Sequence, residues 1–257
     1  YWTTNNISVT SGASYDAMLD SPTNDSASAT RPVGNYCVLN PLMVGSGVTL
    51  SDGNLTANCS SWAWALSTFG VTSGKWYWEV THTNGGIDNL FVGIAKTTTP
   101  TAALNYDLTH SNSYSYNVWG YTSYNGHKEG QGAATPYGAT FRTAGDIIGV
   151  ALDMDGGTIT FYKNNVSQGQ AYSGINVEVT PAWGGMDSSV SKANMNFGQR
   201  PFAYTPPSGY KALCTSNLPN STVVKGNSYM DATLYTGNGS TNTITNTGSF
   251  QPNLVWL

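Results

Sequence analysis

Gly145-Asp146-Ile147-Ile148-Gly149-Val150-Ala151-Leu152-Asp153-Met154-Asp155-Gly156-Gly157-Thr158-Ile159-Thr160-Phe161-Tyr162-Lys163-Asn164-Asn165 reads as a strand, a tight turn, a second strand and a second turn. Ile147, Ile148, Val150, Ala151 and Leu152 make a nearly unbroken apolar run, the pattern of a strand covered on both faces. The Asp155-Gly156 dipeptide suits the positive φ angles of a tight hairpin. Beyond it, Ile159 and Phe161 alternate with Thr158, Thr160 and Tyr162, so one face packs inward and the other meets solvent or a neighbour. Asn164-Asn165 offers the next turn. This is the hairpin of a β-sandwich.

Working outward, the same grammar recurs. Val48-Thr49-Leu50, Asn54-Leu55-Thr56 and Trp62-Ala63-Trp64-Ala65-Leu66 read as strands between Gly and Ser turns. Gly74-Lys75-Trp76-Tyr77-Trp78-Glu79-Val80 is a strong strand with Trp76, Trp78 and Val80 on one face. Leu90-Phe91-Val92-Gly93-Ile94-Ala95 is apolar throughout and reads as a central strand. Residues 177–183 and 195–197 supply two late strands. Four segments follow from this pattern: a β and loop lead-in over 1–35, a sandwich over 36–205, a linker over 206–220 and a further β module or docking extension over 221–257. In the last, residues 230–236 and 241–245 read as paired strands across Gly237-Asn238-Gly239-Ser240, and Phe250-Gln251-Pro252-Asn253-Leu254-Val255-Trp256-Leu257 as the start of a third.

The composition narrows the function. Only 9% of the 257 residues are charged, against roughly a quarter in ordinary soluble domains. Ser, Thr, Asn and Gly carry the polarity instead, which suits a secreted or particle-surface β protein. A net charge of -4 and the lack of a basic stripe give no electrostatic support for nucleic-acid binding. No apolar window is long enough for a membrane span. Cys37, Cys59 and Cys214 have no metal-ligand spacing, and read either as buried or free thiols or as a Cys37–Cys59 bridge with one thiol left over.

Four motifs in order resemble the SPRY family, a concanavalin-like β-sandwich: the strand from Gly74 to Val80, Val92-Gly93-Ile94-Ala95, the stretch from Gly145 to Asn165, and Asn194-Met195-Asn196-Phe197-Gly198-Gln199-Arg200-Pro201-Phe202. Asn165 departs from the Gly that the family usually has after Asn. The resemblance implies an all-β, antiparallel two-sheet fold and a binding role. The flanks, Trp2-Thr3-Thr4-Asn5-Asn6 with Asp20-Ser21-Pro22-Thr23-Asn24, and Tyr235-Thr236-Gly237-Asn238-Gly239-Ser240 with the segment from Phe250, look like the surroundings of such modules in bacteriophage structural proteins.

Catalytic signals are sparse. A retaining or inverting glycosidase needs two facing carboxylates, and the three Glu residues, Glu79, Glu129 and Glu178, show no such pairing. Glu79, beside core Trp residues, reads as a hydrogen-bonded partner of loop amides. Asp153 and Asp155 sit at a hairpin, where turn chemistry explains them better than Ca²⁺ ligation does; Asp187 is the other Ca²⁺ candidate set aside. No Gly-x-Ser-x-Gly elbow is present. No catalytic residue, metal ligand or cofactor is assigned.

The aromatic run Tyr114, Tyr116, Trp119, Tyr121 and Tyr124 falls where the resemblance sets a variable binding rim. Tyr and Trp offer rigid contact area with a polar tip. Alternation could instead send half of these rings into the core; the expectation is that Tyr116, Val118 or their neighbours are buried and that Trp119, Tyr121, Tyr124 and His127 are the contact residues. The expectation is a non-enzymatic virion structural protein on the particle surface, a capsid decoration or a tail or fibre component. It would be homo-oligomeric among other virion subunits and meet a host-surface glycan or protein. A bacterial surface adhesin or filament subunit, and a carbohydrate-active enzyme on the same sandwich, are the alternatives.

Overall fold

The structure is a computed structural model, and it describes residues 34–60, 62–84, 89–105, 118–130, 133–185, 191–219, 229–246 and 250–251. Its strands in chain order are β1 (Leu39–Val44), β2 (Val48–Ser51), β3 (Thr56–Cys59), β4 (Ala63–Ser67), β5 (Lys75–His82), β6 (Leu90–Lys96), β7 (Val118–Thr122) and β8 (His127–Glu129). They continue with β9 (Thr135–Pro136), β10 (Ile147–Asp153), β11 (Thr158–Lys163), β12 (Val166–Tyr172), β13 (Val179–Gly185), β14 (Ser191–Asn196) and β15 (Lys211–Ala212). One sheet runs β1-β4-β13-β6-β7-β8-β9; the other runs β12-β11-β10-β5-β14-β3-β2, with β15 also on β5. The described pairings are antiparallel except β15 on β5. The expected all-β antiparallel sandwich is the fold.

Strand parity explains the core. In the second sheet, Trp76, Trp78 and Val80 of β5 stand beside Leu152, Val150 and Ile148 of β10, with Phe161 and Ile159 of β11 next in line. All eight are buried and face the first sheet. In the first sheet, Val92 and Ile94 of β6 pair with Tyr121 and Trp119 of β7 on the inner side. Phe91 and Ala95 point the other way, where Trp64, Leu66, Ala182 and Val118 join them under the 3-10 helix Thr101–Asn105, whose Ala103 and Leu104 are buried. Both faces of β6 are therefore covered, as its unbroken apolar run requires.

Glycines make room for the rings on that outer face. A Cβ at Gly120 would stand 2.1 Å from Phe91 Cζ, and one at Gly184 would stand 2.7 Å from Trp64 Cε3. The two rings meet edge to face at 4.7 Å. On the second sheet's outer face, Tyr77 lies over Gly149 and meets Phe202 edge to face at 5.0 Å.

The diagnostic hairpin differs in one detail. The β10–β11 loop spans residues 154–157, and its positive φ falls on Gly157 (61°) rather than on Asp155-Gly156. Asp153 Oδ1 accepts the Gly156 amide at 2.8 Å, an Asx turn that fixes the first half in ordinary φ space. The β11–β12 turn has two residues, Asn164 (φ 47°) and Asn165 (φ 69°), the type I′ geometry.

Residues 206–217 do not leave as a linker. Leu213 and Cys214 are buried, β15 adds to β5, and Cys37 N donates to Leu213 O at 2.9 Å. Thr215 N donates to Asn35 O at 2.9 Å, so the two flanks of the sandwich are stitched together. The compact unit runs Tyr1–Asn217, and Leu218–Leu257 is a second unit. In that second unit, residues 230–236 and 241–245 form no strands, contrary to expectation, and Leu234 is fully exposed. Met230, Ala232 and Leu234 keep the two-residue alternation of a strand, but Met230 and Leu234 are exposed, and an isolated hairpin has little stability of its own. The expected third strand falls mostly on 252–257, outside the described residues, as does the 1–33 lead-in.

Candidate functional site at the loop end

β4 begins at Ala63, opposite Gly185 at the end of β13, which faces Leu90 at the start of β6. Phe91 faces Thr122 at the end of β7. Trp62, Asn89 and the turn 123–126 therefore emerge from one end of the first sheet. Trp62 and Tyr124 stand three strand spacings apart, roughly 15 Å. Residues 141–146 and the turn 164–165 open at the same end: Phe141 N donates to Ser123 O at 3.2 Å, and Arg142 lies 4.8 Å over the Tyr124 ring. The stitched flanks lie at the other end, beside Ser67 and Trp76.

The structure divides the four expected contact residues. Tyr124 is 52% exposed at the tip of the turn, and His127 is half-buried. Trp119 is 7% exposed and Tyr121 not at all, so neither offers contact surface here. The parity was misread. Val118 is buried, as expected, but on the outer face under the 3-10 helix, which leaves Trp119 and Tyr121 to fill the space between the sheets. Tyr121 packs on Phe141 at 4.7 Å and Phe161 at 5.5 Å, and its hydroxyl donates to Ala139 O. Burial raises its hydroxyl pKa. Tyr114 and Tyr116 lie outside the described residues.

Trp62 and Arg142 were missed. Trp62 is 41% exposed because the strand starts one residue later, at Ala63. The neighbouring Ser60-Ser61 was a turn signal that could have separated it from the strand. Nothing local singles out Arg142; its role depends on the fold bringing it to Tyr124.

A polar frame holds the loop end rigid. Asn164 Oδ1 accepts the Ile147 amide at 2.8 Å, and its Nδ2 donates to Asp146 Oδ1 at 2.8 Å. Asp146 Oδ2 also accepts the Thr143 amide at 3.1 Å and lies 3.5 Å from Lys163 Nζ. Lys163 Nζ donates to Thr140 O at 2.6 Å. Further along the flank, Lys128 Nζ donates to Ala171 O at 2.8 Å, and Tyr172 hydroxyl to Glu129 O at 2.8 Å. A concavity of about 230 Å³ there is lined by Lys128, Gly130, Ala133, Thr135 and Tyr172.

The remaining candidate chemistry resolves into structural roles. Glu79, 3% exposed, accepts the Ala203 and Tyr204 amides at 2.8 and 2.9 Å and the Tyr77 hydroxyl at 3.1 Å, the loop-amide partner expected of it. Burial raises its pKa, with the two amides and the hydroxyl pulling the other way. Glu79 and Glu129 lie on the outer faces of different sheets, and Glu178 lies before β13, accepting from Thr97 Oγ1. Asp153 pairs with Lys75 at 2.8 Å, and Asp155 Oδ1 accepts the Gly74 amide. Asp187 is outside the described residues. Cys37, Cys59 and Cys214 are buried and unbridged, and burial pushes the Cys37 thiol up to about 11.

Comparison with known proteins fits this geometry. Residues 75–200 match the SPRY domain. That span takes in β5 to β14, including the hairpin and the closing motif as far as Arg200. An E3 ubiquitin-protein ligase RKP of Arabidopsis thaliana is 33% identical over 147 residues, 56% of this chain and 11% of that protein. Ran-binding protein 9 of Homo sapiens is 29% identical over 132 residues, 51% of this chain and 17% of that protein. The chain thus spans under a fifth of the length of these curated relatives. The crystal structure of the SPRY domain of human HERC1 superposes with a TM-score of 0.53 at 20% identity, covering 62% of this chain and 96% of that domain.

Proposed function

We propose that the SPRY sandwich is a non-enzymatic binding module that docks on a protein partner through its loop end. The observation that carries this is the pair Tyr124 and Arg142, stacked and presented on a braced turn at the end away from both flanks. Tyr, Trp and Arg are the side chains most often found at energetic centres of interfaces. Trp62, about 15 Å away across the same end, supplies a second anchor at a spacing that several residues of an extended segment span. The Ran-binding proteins are named for binding another protein, which supports a protein rather than a small molecule as the partner class.

The setting we propose is the surface of a bacteriophage particle, with the module displayed by a homo-oligomeric virion component. The sparse charge and the Ser, Thr, Asn and Gly richness of the chain support it. Proteomics and immunogold labelling of purified particles test that setting; absence of the chain from particles rejects it.

Binding is tested by probing peptide and glycan arrays with the full chain. A retained peptide should lose at least about tenfold in affinity on Tyr124→Ala or Trp62→Ala. Retention of glycans alone would overturn the protein-partner reading, and undiminished binding by both variants would move the site elsewhere.

A further inference from the structure

The base of the turn carrying Tyr124 holds more hydrogen-bond acceptors than donors. The Thr122 hydroxyl lies 2.7 Å from Asn125 Oδ1, 3.2 Å from the His127 carbonyl oxygen and 3.5 Å from Glu129 Oε1. It has one hydrogen to give. The orientation of the Asn125 amide is fixed, because Oδ1 also accepts the His127 backbone amide at 3.0 Å, so its NH₂ group cannot turn inward to supply the missing donors. Thr122 is fully buried and Glu129 is 5% exposed, yet Glu129 Oε2 has no hydrogen-bond partner. A buried carboxylate oxygen without a donor is costly, and so is crowding it with further lone pairs.

We propose that Thr122 Oγ1, Asn125 Oδ1, the His127 carbonyl and the Glu129 carboxylate bind a hard divalent cation, of the calcium type. A cation supplies what these oxygens lack. Adjacent oxygens sharing one Ca²⁺ at about 2.3–2.6 Å stand about 2.8–3.6 Å apart, close to the separations around Thr122. The donor set, a carboxylate, an amide oxygen, a main-chain carbonyl and a hydroxyl, is all oxygen and suits a hard ion rather than zinc. Among the described residues no cluster of three or more His, Cys, Asp and Glu occurs, and this site differs in being built from neutral oxygens around one carboxylate. Asn125 is exposed and gives the ion and its remaining waters a way in. One carboxylate sets a weak affinity, with Kd on the order of 10⁻⁴–10⁻³ M. The ion would brace the turn below Tyr124, and the site stands whether or not the loop end has a protein partner.

The test is thermal unfolding of the full chain with EGTA, ~10 mM CaCl2 or ~10 mM MgCl2, together with Tb³⁺ emission excited through the nearby aromatic side chains. Calcium should raise Tm by about 3–6 °C, magnesium by less because it demands a tighter octahedron. Tb³⁺ should give sensitised emission that Ca²⁺ competes away. Glu129→Gln, which keeps the shape and removes the charge, should abolish both responses. The proposal is overturned by no calcium response in the wild-type chain, by an equal response to magnesium, or by a response that survives in Glu129→Gln.

Discussion

The two outer faces of the sandwich are both covered, but by different physics. Over the first sheet, the rings of Trp64 and Phe91 lie on a surface cleared by Gly184 and Gly120, and Ala103 and Leu104 close over them. That cluster is apolar, and Glu129 stands beside it, opposite Gly120 on the neighbouring strand. Over the second sheet, Tyr77 lies on Gly149, but the covering chain is held by Glu79, which grips the Ala203 and Tyr204 amides. The first cover depends on shape and apolar burial, the second on a buried acid satisfying two main-chain donors. Around Phe91 the first should therefore respond chiefly to volume, and around Glu79 the second chiefly to pH.

The largest effect is expected where shape does the work. Phe91→Ala should destabilise the fold by about 3–5 kcal/mol, read as a lower urea midpoint at unchanged slope. Gly120→Ala fills the space that Phe91 occupies, where the new Cβ would meet the ring at 2.1 Å. Its expected cost is about 3 kcal/mol, from overpacking rather than from a cavity. Combining the two should cost less than their sum, because the shortened side chain leaves room for the added methyl group. Additivity in that double mutant would break the claim that shape governs this face.

Glu79→Ala should cost about 1–3 kcal/mol, because it removes the acceptor of two part-buried main-chain amides. Glu79→Gln tests the contrast through pH. The carboxyl pKa is raised in the fold above the ordinary 4.5, so the folded chain holds that proton more tightly than the unfolded one. Its contribution is complete below the unfolded-chain value and is lost as pH rises through the folded value. The wild-type chain should gain on Glu79→Gln as pH falls from ~7 towards 4.5. The difference between wild type and Phe91→Ala should stay flat over that window. Matching pH profiles for the two variants would erase the distinction between the faces.

The sequence announced these two covers unequally. Alternation in β5 and the apolar run of β6 identified the inner core, because a repeat of two residues is written directly into the chain. Glu79 was legible as an amide partner, since an acid among tryptophans must find donors. The 3-10 helix over Phe91 was not, for it comes from five residues, Thr101-Ala102-Ala103-Leu104-Asn105, with no period to detect. Missing that cover is what misplaced Trp119 and Tyr121: a strand buried on both faces offers no parity by which to choose an exposed side. Tyr124 was legible as the last ring of the aromatic run that the family resemblance sets at a binding rim. Its partner Arg142 lies 18 residues on and meets it only through the folded loop end.

The smallest effects belong to neither cover, and two adjacent asparagines isolate them. Asn164 and Asn165 share the left-handed region, at φ 47° and 69°, so the backbone demand of the two-residue turn falls on both. Their side chains differ. Both residues are exposed, but the Asn164 side chain bridges the Ile147 amide and the Asp146 carboxylate. Asn164→Gly removes two hydrogen bonds and should cost about 1–2 kcal/mol. Asn165→Gly relieves a left-handed side chain while adding freedom to the unfolded chain, and these oppose each other, leaving a change within about 0.5 kcal/mol. Urea midpoints of the pair, measured beside Phe91→Ala, set the scale on which both covers are judged. A loss at Asn165 equal to that at Asn164 would mean that the turn is held by backbone conformation alone and that the Asn164 bridge contributes nothing.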